Sequence, residues 1–167
     1  MTFFRPRGFA GPPPRPRRRV LVSGALAGLL SNLMLAWLGR SEGAGAAAPL
    51  NAISHWLWDR EALWQNAATV KYTLSGTAIH FASSLFWAVF YEMLRAARRR
   101  PDERNAVKDA LAMAAVAAVA DLKCVPPRLK PGFEERLSDR GLLLVYLSFA
   151  AGLALGGIAT LGPRSRP

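Results

Sequence analysis

The chain has 167 residues, of which 51% are hydrophobic and 20% are charged, and its formal net charge at pH 7 is +11. The basic residues lie between long apolar runs, which argues against a nucleic-acid-binding surface and for connectors that flank membrane helices. The single cysteine, Cys124, excludes an internal disulfide and offers no metal-ligand spacing.

The N-terminal segment, residues 1–19, contains five prolines and six arginines. Proline lacks the amide donor and the arginines repel one another, so the segment predicts a disordered cytoplasmic tail. Its last three residues, Arg17, Arg18 and Arg19, directly precede the first apolar run. At that position they are expected to contact anionic lipid headgroups.

The first predicted membrane span covers residues 20–38, all of them uncharged. A helix of this length extends over roughly 28 Å, close to the thickness of a bilayer core. A cleaved signal peptide is the competing interpretation, because small residues follow at Ala44, Ala46 and Ala48. The run is longer than the usual signal core of about 7–15 residues, and cleavage would leave the other helices without their first partner.

The first external connector, residues 39–73, carries tryptophans within 51–65. Indole favours the headgroup layer, so this stretch predicts a short interfacial helix on the periplasmic surface. A helix packed over the mouth of the bundle is the alternative. His55 and Trp56 are candidate functional residues here.

The second predicted span, residues 74–94, holds His80, the one ionisable residue well inside an apolar run. His80 and Ser84 share a polar face that should point into the bundle, since lipid cannot satisfy their hydrogen bonds. An intramembrane histidine is a candidate functional residue. The alternative is a neutral histidine bonded to a neighbouring helix, for example to Asn32 or to a serine.

Charged residues mark the inner end of this span. Glu92 is expected to pair with an arginine one turn on. Arg98, Arg99 and Arg100 follow, and they predict a cytoplasmic anchor beside anionic lipids.

The third predicted span, residues 105–123, has an uncharged part of only 11 residues, 110–120, seven of them alanine. Asp121 closes it and is a candidate functional residue, although an ion pair with nearby Lys123 is the expected role. Four spans place 14 of the 22 lysines and arginines inside, whereas three spans would place 17 inside. The positive-inside rule alone therefore favours three, but an alanine-rich helix without a polar face is better buried in a bundle.

The fourth predicted span, residues 141–161, is uncharged and precedes a cytoplasmic tail, 162–167. Small residues recur every four positions, so they fall on one helical stripe and predict close helix packing or a homo-oligomer face. The stripe consists of Ser148, Gly152, Gly156 and Thr160, and the first span offers Gly24 and Gly28 in the same way.

Motif searches return no phosphate loop, no zinc-protease motif and no serine nucleophile elbow. Two histidines in different elements make a haem site a weak hypothesis. The sequence therefore predicts no catalytic residues, no metal and no cofactor.

Three pieces of the chain carry a resemblance: residues 51–58, 77–87 and 126–134. They resemble segments of small multi-pass inner-membrane proteins of bacteria, and the resemblance implies membrane residence without a known activity.

Together these features predict an all-α integral membrane bundle of four transmembrane helices, with domain limits 20–161 and both termini in the cytoplasm. The expected role is non-enzymatic, in assembly, envelope maintenance or partner binding, with a homo-oligomer or another membrane protein as partner. The alternatives are an oligomeric permeation unit lined by the polar face of the second span, and a lipid-modifying or cofactor-binding enzyme that uses His80 and Asp121.

Overall fold

A computed structural model of the chain describes residues 16–98 and 102–162, and every regular element in these ranges is helical. Residues 1–15, 99–101 and 163–167 lie outside the described residues, so the predictions for the two tails and for Arg99 and Arg100 stay predictions. The α-helices are α1 Pro16–Ser41, α2 Ala48–Ile53, α3 His55–Ala62, α4 Ser75–Ala96, α5 Glu103–Val119 and α6 Asp139–Ala159.

Short turns of other helix types extend or connect these elements. A π-helical turn, Val70–Leu74, precedes α4, and a second, Ala120–Cys124, prolongs α5. Two 3-10 turns, Pro127–Leu129 and Phe133–Glu135, lie between α5 and α6.

Three helices are long and apolar enough to cross a membrane: Pro16–Ser41, Val70–Ala96 and Asp139–Ala159, with hydropathies of 1.8, 1.2 and 2.1. The coarser prediction, an all-helical chain with apolar spanning helices, is thus confirmed. Helix α1 begins at Pro16 rather than at residue 20, so Arg17, Arg18 and Arg19 belong to this helix and not to a disordered tail.

The long helices form an antiparallel bundle. Helix α1 contacts α4 and α6, and α5 contacts α6 and α4, so α1 and α5 face each other diagonally. Side chains between the helices form two apolar clusters, one around Tyr91 and Leu153 and the other around Leu35, Phe133 and Val145.

Glycines bring α1 close to α6 and to α4, and those of α6 make the closest contacts. A Cβ atom on Gly152 would lie 2.5 Å from the amide nitrogen of Ala27, and one on Gly156 would lie 2.8 Å from that of Ser23. Because these contacts are with backbone atoms, no larger residue fits at either glycine without separating α1 from α6.

Two other glycines of α1 face α4. Gly24 lies against Leu85 and Gly28 lies against Phe81. The glycines of α1 and α6 therefore pack against other helices of the same chain. Ser148, which the sequence placed on the same stripe, instead donates a 2.7 Å hydrogen bond to the carbonyl of Leu144 in its own helix.

The two connectors meet at one end of the bundle. The indole of Trp56 donates to the carbonyl of Lys130 over 2.8 Å, and Arg128 pairs with Asp59 at 2.6 Å. Ser138, which caps α6, donates from its backbone amide to Glu42 over 2.8 Å. These bonds join residues 42–59 to residues 128–138.

Helix α2 packs into the mouth of the bundle rather than lying apart from it. All six of its residues are buried, and Gly76 of α4 lies directly against the carbonyl of Leu50. The stretch predicted as one interfacial helix, 51–65, is thus divided between α2 and α3, and only its later part, with Trp58 and Trp64, is exposed.

A buried charge network closes the opposite end. Arg95 pairs with Glu92 at 2.7 Å, which confirms the predicted pairing, and its guanidinium also donates to the carbonyl of Gly157. Ser23 donates to Glu92 over 2.6 Å. Helices α1, α4 and α6 are therefore tied together by one ion pair.

Candidate functional site

The described part of the chain contains a cavity of about 610 Å³ beneath the connectors. Four helices contribute walls: α1 through Ser31, α4 through residues 79–87, α5 and its π-helical extension through Ala117 and Ala120, and α6 through Val145 and Phe149. The cavity exists because α4 contacts α5 and α6 far less than it contacts α1. Most of its lining is apolar, and its few polar side chains are therefore the candidates for binding a polar group of a ligand.

His80 is one of these polar groups. Its Nε2 atom lies 2.7 Å from the hydroxyl oxygen of Ser31, and its ring meets that of Phe133 edge-on at 6.2 Å. Ser84, one turn along α4, lines the cavity and donates to the carbonyl of His80 over 2.8 Å. The predicted polar face of α4 thus points into the bundle, with a serine as the partner of His80.

Asp121 lies on the opposite wall. The hydroxyl of Tyr146 donates to its Oδ2 atom over 3.2 Å, and Trp87 lines the same cavity. Lys123 forms no ion pair with it among the described residues. The expected Asp121–Lys123 pair is therefore wrong, because the last turn of α5 is π-helical and lies against α6, where Tyr146 offers a buried donor.

The roof of the cavity comes from both connectors. Trp56 of α3 lines it together with Leu129, Pro131 and Phe133 from the second connector. Gly132, which precedes Phe133, has φ +90° and no room for a Cβ beside the carbonyl of Ala52. This left-handed turn places Phe133 over the cavity.

The cavity opens sideways. Ala82 and Phe86 line it and are also exposed on the outer surface of α4, with Phe86 55% exposed. Across the opening, Ala120 and Val125 form the edge that belongs to α5 and its extension. A molecule can therefore reach His80 and Asp121 from the side of the bundle between α4 and α5.

A second, smaller crevice of about 340 Å³ lies among the connectors and contains His55. The Nδ1 atom of His55 bonds to the carbonyl of Ala52 at 2.9 Å. Glu134 borders the crevice, and burial raises the pKa of this carboxyl above its usual value. Its Oε2 atom is buried without a partner among the described residues.

The structure brings together four of the six candidate functional residues predicted from sequence. His80, Ser84, Asp121 and Trp56 all line the large cavity. His55 belongs to the outer crevice, and Asn32 bonds to the carbonyl of Gly28 in its own helix over 2.7 Å.

Sequence reasoning missed Ser31 and Tyr146, the partners of His80 and Asp121. Tyr146 could have been predicted as a site residue, because a phenol in the middle of an apolar run needs a hydrogen-bond partner. Within residues 16–98 and 102–162, no three histidine, cysteine or acidic side chains are close enough to hold a metal ion.

Comparison with known proteins gives no relative: no family model, no curated protein and no solved structure matches this chain.

Proposed function

We propose that this chain is a four-span protein of the bacterial inner membrane that binds an amphiphile in the cavity containing His80 and Asp121. In this proposal the protein is a binding protein and not an enzyme. It takes its ligand from the outer leaflet through the gap between α4 and α5.

Four crossings are supported by the contact between the two connectors. If α1, α4 and α6 cross the bilayer but α5 does not, residues 42–69 and 125–138 end on opposite sides of the membrane. Trp56 contacts Lys130, and Glu42 contacts Ser138, which two segments so separated cannot do. This argument outweighs the charge count, which slightly favoured three crossings.

The surface of α5 supports the same topology. Four of its alanines, at 106, 110, 114 and 117, are buried in the bundle, whereas Val107, Leu111, Val116 and Val119 are 41–57% exposed on its outer side. Large aliphatic side chains on an outward face suit lipid better than water. With its π-helical extension the helix covers residues 103–124, roughly 33 Å of rise.

The distribution of basic residues supports cytoplasmic termini. Arg17, Arg18 and Arg19 begin α1, and Arg98 follows α4 at the same end of the bundle, with Arg99 and Arg100 next in the sequence. We propose that these arginines contact anionic lipids of the inner leaflet. Arg98 has a second role there, since it pairs with the buried carboxylate of Asp109.

The observation that carries the binding proposal is the cavity itself. Its volume of about 610 Å³ lies within the range of small-molecule sites, roughly 300–1,000 Å³. Its walls are apolar with a few convergent polar groups, and its mouth lies among side chains at membrane depth. Such a site suits a molecule with an apolar chain and one polar end.

A permeation path along α4, the alternative function, has less support. Below the cavity, Ala88 and Tyr91 are fully buried between the helices, and the Glu92–Arg95 pair closes the inner end. A solute would have to separate these contacts to pass.

The test is to fill the mouth of the cavity. Ala82→Phe places a ring in the opening, while Ala78→Phe adds the same ring one turn away on the same exposed side of α4, outside the cavity lining. We expect wild type and Ala78→Phe to retain lipid-like molecules through purification, detected by native mass spectrometry, and Ala82→Phe to lose them. Equal retention by all three proteins would contradict the proposal.

A further inference from the structure

The charges around the cavity restrict the kind of amphiphile it can hold. Among the described residues that line it there is no lysine and no arginine, and Asp121 is the acidic side chain. A phosphate placed here would lie in an apolar site beside a carboxylate and without a cation, which is strongly unfavourable. The head of the ligand is therefore not a phosphate.

The hydrogen bonds of Ser31 fix the proton on His80. A serine hydroxyl has one hydrogen, and Ser31 donates it to the carbonyl of Ala27 over 2.7 Å. The 2.7 Å contact between Ser31 and Nε2 of His80 then requires that Nε2 is the donor. The other ring nitrogen, Nδ1, is left as an acceptor without a partner among the described residues.

Asp121 is an acceptor as well. It receives the hydroxyl of Tyr146 on Oδ2, and an ionised carboxylate has about four acceptor positions. The two polar walls of the cavity thus both offer acceptors, and a ligand that pairs with both has to supply donors. An ester or ether head without a hydroxyl would leave them unpaired, at a cost in affinity.

We infer that the cavity selects an amphiphile without a negative charge, whose head carries hydroxyl groups that donate to Nδ1 of His80 and to Asp121, with its chain leaving between α4 and α5. This inference rests on the proposed function and names the ligand class of the same site. The aromatic side chains of Trp87, Phe133 and Phe149 then surround the part of the molecule next to the head.

Three probes with the same oleoyl chain and different heads test the inference. They are 1-monoolein, which has two hydroxyls, methyl oleate, which has no donor, and 1-oleoyl lysophosphatidic acid, which has a charged phosphate. Each is titrated into the full-length protein in detergent, and binding is measured by native mass spectrometry. We expect monoolein to bind about tenfold more tightly than either of the others.

Variants assign the selectivity to the two walls. His80→Phe should reduce the preference for monoolein over methyl oleate, and Asp121→Asn should reduce the discrimination against lysophosphatidic acid. Ser148→Ala, which removes a hydroxyl outside the cavity, should change neither ratio. If His80→Phe does not fold, Ser31→Ala keeps the ring, removes the group that fixes its proton, and should weaken the same preference.

The outcomes separate the two proposals. Methyl oleate or lysophosphatidic acid binding as tightly as monoolein, with the Ala82→Phe effect intact, would overturn the inference about the head and leave amphiphile binding in place. No binding of any probe would overturn both.

Discussion

The pairing of Glu92 with Arg95 shows how charged residues are accommodated inside this bundle. Both side chains are more than 90% buried, and their remaining hydrogen bonds join them to Ser23, Gly157 and Thr160. A buried charge that loses its partner is far more costly than one replaced together with its partner. The pair is therefore expected to behave as a unit.

Removing one member should destabilise the protein more than removing both. Glu92→Leu, which strands Arg95, is expected to lower the free energy of unfolding by about 3–5 kcal/mol. The double variant Glu92→Leu, Arg95→Met is expected to recover most of that loss. Unfolding by SDS in mixed micelles gives the stabilities of the wild type, the single variant and the double variant, and a double variant that is no more stable than Glu92→Leu would contradict the interpretation.

Single residues differ in how far sequence alone could place them. Glu92 and Arg95 are one helical turn apart, so their pairing follows from spacing. His80 and Asp121 could be named as candidates because polar groups are rare in apolar runs. Their partners, Ser31 and Tyr146, depend on how α1 and α6 are rotated, which no local pattern determines.

Helix α5 shows why the number of transmembrane helices was the uncertain part of the prediction. Its uncharged stretch is short, and charges flank it at both ends. In the structure Asp109 is buried against Arg98, and the π-helical turn Ala120–Cys124 lengthens the helix. Neither an ion pair between α5 and a residue that follows α4 nor a π turn is visible in hydropathy, so the full length of α5 could not be read from sequence.

The packing of α1 against α6 depends on a backbone contact, and the small-residue spacing pointed to its position. Gly152→Leu would place a side chain against the amide of Ala27 and should lower the free energy of unfolding by about 3 kcal/mol. Ala151→Leu, on the exposed side of the same turn, is the matched control and should have little effect. Equal stability of the two variants would show that α1 and α6 are not in close contact.

The whole molecule is organised by its two ends. At one end an ion pair ties α1, α4 and α6 together, and at the other the connectors interlock over the cavity. The composition of the chain predicted lipid as the surrounding solvent. It could not predict the cavity, because the cavity depends on the distances between the helices. No feature within any one helix determines those distances.

The most direct test of this account asks whether the two connectors lie on the same side of the membrane. Cys124, the one cysteine of the chain, is exposed at the end of α5, and Ala68 is exposed in the first connector. The native protein and the variant Cys124→Ser, Ala68→Cys would each be treated with a membrane-impermeant maleimide in spheroplasts, before and after permeabilisation. The account predicts that both cysteines react before permeabilisation; labelling of Cys124 and residue 68 from opposite sides would contradict it.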